Sequence, residues 1–469
     1  MATYFRLASD CLLVEGARDA ALYDATRGRL FLLDTAAQGI LQKCEANRPL
    51  DCDWIGGDGL AFLQFLRDEG LGFFDDSPAF VERFAPHSPL KFRGVAQKPP
   101  DYATVDWAIT ELCDVGCSFC PYEPDSTSWQ ACTTCLRKAG TVERPRSFSY
   151  TASIVGQIVA LGVRRLHIRG GNPLLSWDRL SAVIQEASRY PQLTLVVTTP
   201  GSGRSTDDIV AMCSRYHVRL NVVLMATDAE TAKQTCGEEI VALQFSLLHE
   251  LARNSLAFSV TLLLSAATCP HRERMARFVQ ESWQRKPKVS EICVPQEGGA
   301  LPFSHLGQRG KHLYSWRTLH NFHARVVSSA CLHGRFQIQS DASIHPCAGL
   351  AENCGQIIDG DLRAALKQSA LYDWWHFNKN EISPCKCCAL RYACLNCTAA
   401  EAKCIEQESN VRRFCSFDPD GDLRAHQVPW VHSGFLKRAI VGSTPQKAKS
   451  PIAAPGAGKS QEASELSSG

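Results

Sequence analysis

Cysteine constrains what this chain can fold into more than any other residue type. Its 469 residues include 22 cysteines, and ten of them fall between Cys331 and Cys415. A segment with so much sulfur and so little apolar periodicity is short of material for a hydrophobic core, so cross-links or metal must hold it. Disulfide scaffolds are typical of small exported domains. A long chain that opens Met-Ala-Thr-Tyr-Phe-Arg, with no signal-peptide apolar stretch, favours thiolates on metal instead. The rest of the composition is ordinary. With 45% hydrophobic and 21% charged residues, the chain can bury cores in about two to four domains. Its 50 basic and 48 acidic side chains nearly cancel, which removes the electrostatic case for nucleic acid or an anionic membrane as partner. No run of about 18 apolar residues occurs. The expectation is a soluble, cytoplasmic α/β protein.

Residues 1–76 read as a small module. Apolar stretches at Phe5–Val14, Ala20–Tyr23 and Leu30–Leu33 predict strands separated by Gly16 and by Arg27-Gly28. Asp34-Thr35 offers an N-cap for a helix over Ala36–Cys44, and a second helix is predicted over Leu60–Leu66, ending near Gly70. Strands followed by helices suggest a winged-helix-like unit. Residues 77–102 carry Pro78, Pro86, Pro89, Pro99 and Pro100 and read as a linker.

From 103 to 300 strand and helix patterns alternate. The strands are Ala103–Thr110, Arg165–Ile168, Leu193–Thr198, Val218–Leu224, Phe258–Leu264 and Glu291–Val294. The helices are Ala152–Leu161, Leu180–Ser188, Thr206–Tyr216, Glu239–Ala252 and Arg272–Trp283. The alternation favours parallel strands joined by crossover helices, as in a partial or full α/β barrel; an open doubly wound sheet is also compatible. Residues 301–440 hold the cysteine field, in which metal is expected to replace a core over 331–418. The Ser-, Ala-, Lys-, Pro- and Gly-rich tail, 441–469, has the composition of disorder.

Two short motifs carry chemistry. Cys113-Asp-Val-Gly-Cys117-Ser-Phe-Cys120 directly follows the Ala103–Thr110 strand, with Gly116 supplying the bend. Iron–sulfur clusters usually take four thiolates, so a three-cysteine loop points to a cluster with one open iron. A structural zinc loop is the alternative, with Cys132 or Cys135 as fourth ligand. One strand later, Arg165–Ile168 runs into Arg169-Gly170-Gly171-Asn172-Pro173.

In register, these motifs resemble those of radical S-adenosylmethionine enzymes. The resemblance implies a partial (β/α)6 barrel in which Cys113, Cys117 and Cys120 hold a 4Fe–4S cluster whose open iron chelates S-adenosylmethionine. It places Phe119 beside the adenine and the backbone of Gly170, Gly171, Asn172 and Pro173 on the methionine moiety. Asn172 stands where that family usually has Glu. Thr198-Thr199-Pro200-Gly201 resembles the family's turn after the third strand, which assigns Thr199 to the cofactor. Met225-Ala-Thr-Asp228 matches the ribose motif only weakly, so the ribose ligand stays unassigned.

The C-terminal spacing is Cys331-(15)-Cys347, then Cys385-(2)-Cys388-(5)-Cys394-(2)-Cys397, then Cys415. Zinc ribbons use similar pairs. Behind such a barrel, the spacing resembles a SPASM domain with two auxiliary 4Fe–4S clusters, making three in all. By position, Cys385, Cys388, Cys394 and Cys415 would hold the outer cluster. Cys331, Cys347 and Cys397 would hold the inner one, with Cys354 or Cys293 as fourth ligand and Cys354 preferred. Ala342 replaces a family glycine, and Cys397 comes one residue early. Cys387 and Cys404 have no assigned role, and neither do Cys132 and Cys135 if the loop holds a cluster.

Residues 1–75 resemble the recognition elements of maturases of ribosomally made peptides, and their opening is similar to the grasp-with-spasm group. The implied partners are a precursor peptide bound through its leader and an external donor such as flavodoxin or ferredoxin. The implied activity is formation of a 5′-deoxyadenosyl radical and oxidative modification of that peptide, with a crosslink favoured. A sulfatase-maturase-like oxidation of Ser or Cys, a small-molecule radical enzyme and a zinc-stapled scaffold are the alternatives.

Overall fold

In a computed structural model, the residues described are 2–17, 19–51, 53–83, 102–118, 120, 129–130, 148–265, 267–293, 322, 325–329, 331–347, 349–350, 352–382, 385–394, 430–432 and 435–439. The N-terminal residues form β1 (Tyr4–Leu7), β2 (Cys11–Glu15), β3 (Ala20–Asp24), β4 (Arg29–Leu33), α1 (Thr35–Glu45), α2 (Gly56–Asp68) and β5 (Gly72–Asp75). The predicted strand Phe5–Val14 is in fact two. A turn at Ala8–Cys11, closed by Cys11 N–H donating to Ala8 O at 3.0 Å, sends β1 to pair with β5 while β2 pairs with β3. Asp34 caps α1, its carboxylate accepting from Ala37 N–H at 2.7 Å. Phe5, Leu7, Leu22, Leu33, Leu41, Leu63 and Leu66 are buried together and give the module its own core. The first residues of the expected linker fold back onto it, with Arg83 donating to Leu7 O and Cys11 O at 3.1 Å and paired with Glu45.

The second unit is a ten-stranded sheet. Six strands, β6 (Thr104–Ala108), β8 (Arg165–Arg169), β9 (Thr194–Thr199), β10 (Arg219–Leu224), β11 (Phe258–Leu264) and β12 (Lys288–Cys293), lie side by side in chain order, all parallel. The crossover helices are α3 (Phe148–Ala160), α4 (Trp177–Ala187), α5 (Thr206–Tyr216), α7 (Glu238–Arg253) and α8 (Arg272–Trp283), with the short α6 (Ala229–Thr235) before α7. β7 (Trp129–Gln130) pairs antiparallel with β12. Sequential order with right-handed crossovers puts the helices on one face; a doubly wound sheet would reverse order at a switch point. Alternate strand residues such as Val105, Trp107, Leu166, Ile168, Val222 and Leu262 share a core with the helices, and the residues between them point to the opposite face of the sheet.

β13 (Arg335–Ile338) adds parallel to β6, and β14 (Ser343–His345) and β15 (Gly355–Gln356) extend the edge antiparallel. Phe336, Ile338, Ile344, Ile357, Leu362 of α9 (Leu362–Lys367) and Leu371 and Trp375 of α10 (Leu371–His376) all join the sheet's helix-side core. The first part of the cysteine field therefore has a hydrophobic core, contrary to the expectation that metal replaces one throughout 331–418; its short strands and six-residue helices carry too little periodicity to announce it. A third sheet joins β16 (Trp430–His432) and β17 (Phe435–Ala439) to β4, in the order β17-β16-β4-β3-β2. The tail 441–469 lies outside the described residues.

Candidate cofactor and metal site

The cysteine loop leaves β6 at the carboxyl end of the parallel strands, where α/β folds build their sites. Cys113 and Cys117 rest on an apolar bed of Val115, Val223, Met225 and Leu263, with Cys117 Sγ at 3.4 Å from Met225 Sδ. Ser118 ties the loop to α6: its N–H donates to Thr235 O at 2.9 Å and its hydroxyl to Gln234 O at 2.7 Å.

The Gly170-Gly171 turn is interlocked with this loop. Gly171 N–H donates to Thr110 O at 3.0 Å, and Asn172 N–H to Leu112 O at 2.6 Å. A Cβ on Gly170 would stand 2.2 Å from Thr110 O, and one on Gly171 would stand 2.1 Å from Leu112 O. Gly170 also has φ +139°, a region L side chains avoid. Both glycines are therefore required by the cysteine loop's own backbone, before any ligand is considered.

Asn172, fully buried, is the hub of the turn. Its Nδ2 donates to Asp114 Oδ1 at 2.8 Å and to Ser202 O at 2.9 Å, while its Oδ1 accepts from Thr199 Oγ1 at 2.8 Å. Ser202 Oγ also donates to Asp114, at 2.9 Å. The departure from Glu thus has a local reason: an amide both donates to the carboxylate of the cysteine loop and accepts from β9, which a second carboxylate cannot do. Pro173 starts the short helical turn that follows. Asp228 caps α6 and pairs with Arg274 at 2.9 Å; against its burial, these contacts hold its carboxyl below the ordinary range.

The sheet face opposite the helices, which periodicity did not reveal, is polar. Asp106 on β6 pairs with Arg169 at 2.9 Å and with His167 and Arg335 each at 3.2 Å. Burial opposes its charge, but Arg169, the His167 hydrogen bond and Arg335 outweigh it and hold the carboxyl well below its usual range. Burial lowers His167, with Asp106 pulling the other way. Farther round, Asn221 Oδ1 accepts from Ser259 and Thr261 hydroxyls, both at 2.9 Å. Gln337, 1% exposed and in register with Asp106, has both amide atoms unpaired among the described residues. Polar residues at every second strand position were the available signal.

The thiols divide by environment. Cys11, Cys44 and Cys213 are buried and their thiols are pushed up to about 12, chiefly by burial. Cys113, Cys117 and Cys120 are only half-buried, as ligands open to a guest need to be. That donor set, three thiols on one eight-residue loop beside the glycine turn, fits an iron–sulfur centre. Among the described residues no three Cys, His, Asp or Glu side chains converge in a ready-made cage.

In the C-terminal field, Cys385, Cys388 and Cys394 are half-buried on one short segment and Cys387 is exposed. Cys331 and Cys394, placed in different clusters by the spacing, line one cavity together with Arg325, Lys379 and Arg391. Cys347 packs at the edge of the sheet's helix-side core; Cys354 lies within it, its thiol pushed up to about 11 by burial, Glu352 and Asp373. Cys293 ends β12, opposite Trp129. Phe119, Cys132, Cys135, Cys397, Cys404 and Cys415 lie outside the described residues. No described helix is long and apolar enough to cross a membrane.

No protein-family model matches the sequence, and no curated protein matches it. Among solved structures, the chain is similar to Streptococcus suis SuiB bound to S-adenosylmethionine, at 12% identity and TM-score 0.44, over 85% of this chain and 96% of that one. The same protein bound to its precursor peptide SuiA matches at 13% identity and TM-score 0.44, over 85% and 97%. Native anSMEcpe with bound AdoMet and Cp18Cys peptide matches at 12% identity and TM-score 0.46, over 64% and 90%.

Proposed function

We propose that this chain is a radical S-adenosylmethionine enzyme that oxidatively modifies a ribosomally made peptide, with a crosslink as the favoured product. One observation carries the reading: three half-buried thiols at the carboxyl end of the first parallel strand, backbone-locked to a glycine turn at the end of the second. Cys113, Cys117 and Cys120 would hold the 4Fe–4S cluster, with Phe119, Gly170, Gly171, Asn172, Pro173 and Thr199 around S-adenosylmethionine. When bound, these groups supply one-electron chemistry that ends in hydrogen-atom abstraction.

The chain's own residues do the remaining work. Asn172 keeps the cysteine loop, β9 and the Ser202 loop in one arrangement. The helix-side core and apolar bed exclude water from beneath the loop. The ion pairs on the sheet face opposite the helices and the Gln337 amide, unpaired among the described residues, would present fixed dipoles to a substrate, as expected of a site prepared for a hydrogen-bonding ligand. Residues 1–76 would bind the leader as a winged-helix-like recognition element. Cys331, Cys347 and Cys354 with Cys397, and Cys385, Cys388 and Cys394 with Cys415, would hold auxiliary clusters fed by or feeding an external electron donor.

The test is anaerobic reconstitution with S-adenosylmethionine and a reductant. The wild type is expected to form 5′-deoxyadenosine and to contain about twelve irons per chain, and Cys117→Ala to form none. Equal formation in both, or zinc in a colourless protein, overturns the assignment.

A further inference from the structure

The N-terminal module packs directly against the second cysteine segment. Ala17 N–H donates to Cys387 O at 2.8 Å. Arg391 Nη1 bridges Glu15 O at 2.8 Å and Cys388 O at 2.9 Å. Tyr23, fully buried on β3, donates its phenol hydrogen to Ala389 O at 2.9 Å. Its ring packs edge-on against Phe322, with centroids 5.1 Å apart, and Phe322 packs the same way on Tyr392 at 5.0 Å. Val14, Ala21 and Leu32 of the module share a small core with Leu390 and Ala393. The fit is close: a Cβ on Gly16 would lie 3.0 Å from Ala389 N and 2.7 Å from Asp19 O.

Apart from the ring of Phe322, these contacts fall on Cys387–Ala393, between Cys385 and Cys394 and around Cys388. Turn hydrogen bonds such as Cys388 N–H to Cys385 O at 2.9 Å and Cys394 N–H to Leu390 O at 3.0 Å shape the segment locally, and the β2–β3 hairpin braces it from outside. We propose that this hairpin, with Tyr23 at its centre, is a positioning element for a metal centre on Cys385, Cys388 and Cys394, so that this centre is completed by the N-terminal module. The proposal rests on the metal reading of these cysteines given above. The hairpin would set ligand placement and surround the centre with aromatic rings and the Arg391 guanidinium, which are the levers by which a protein tunes such a group.

The experiment compares full-length wild type, Gly16→Val, Tyr23→Phe and Tyr23→Ala after anaerobic reconstitution, by iron content and by electron paramagnetic resonance across a redox titration. Gly16→Val, which wedges the hairpin off Ala389, is expected to lose about a third of its iron and one cluster signal. Tyr23→Ala is expected to lose the same signal. Tyr23→Phe keeps the ring packing and is expected to retain its iron while the midpoint of that one signal moves. Persistence of the other cluster signals and an unchanged far-ultraviolet circular dichroism spectrum separate this from misfolding. Full iron and unmoved midpoints in all three variants overturn the clamp with the metal reading intact. Wild type without cluster iron overturns the metal reading itself, and the clamp with it.

Discussion

Asn172 donates to Asp114 and accepts from Thr199, so one carboxamide decides how the cysteine loop sits on the parallel sheet. The isosteric change Asn172→Asp removes the donor and sets a buried carboxylate against that of the solvent-exposed Asp114. A lost charged hydrogen bond and an unpaired charge together cost roughly 3 kcal/mol. The double change Asn172→Asp with Asp114→Asn restores one donor and one acceptor and is expected to recover most of that loss. Urea unfolding of the two variants decides it; a double variant no more stable than the single shows that the pair does not lock the loop. Gly170 and Gly171 act at the same scale, since their missing side chains are what allow Thr110 and Leu112 carbonyls to approach.

At the scale of elements, β6, β8 and β13 meet at Asp106, which binds Arg169 of β8 and Arg335 of β13. Asp106→Asn takes a carboxylate away from both guanidiniums, and breaking a buried pair from one side costs about 3–5 kcal/mol. The carboxyl is depressed in the folded state, so its stabilising contribution is complete above the unfolded value near pH 4. It is lost as pH falls below that toward the folded value. His167 is also depressed, so the unfolded chain takes up its proton first and stability declines as pH drops through about 6.5. Unfolding measured between pH 7 and pH 3 is expected to show a decline below pH 4 that is steeper in wild type than in Asp106→Asn, which keeps only the other depressed carboxyls such as Asp228. Parallel curves for the two proteins would show that the network does not link these strands.

Across the whole molecule, the interface between the N-terminal module and residues 387–393 ties the first strands of the chain to the Cys385–Cys394 segment through both hydrogen bonds and a shared core. Segments that open together exchange their amides together. Hydrogen exchange on the full chain is therefore expected to give Ala17, the β2–β3 amides and Ala393 a common rate. Exchange of the hairpin about a hundredfold faster than Ala393 would show that the module opens independently.

Legibility in the sequence followed the range of the forces involved. Helix α5 and strand β11 have the same bounds in the sequence reading and in the structure, because Ser205, Pro-free apolar periodicity and a run of β-branched and leucine residues are local signals. Cys113, Cys117, Cys120 and the glycine turn were visible for the same reason. The split of Phe5–Val14 into two strands was not, since it depends on β5, more than fifty residues away in the chain. Nor were the ion pairs of Asp106, the hub at Asn172 or the seat of the cysteine segment against Tyr23, each of which joins residues from distant elements. Local propensity is written in neighbouring residues and set the elements and the thiol loop. Which polar side chains share the sheet face opposite the helices, and which strands hold the cysteines in place, follows from packing that exists only once distant segments have come together.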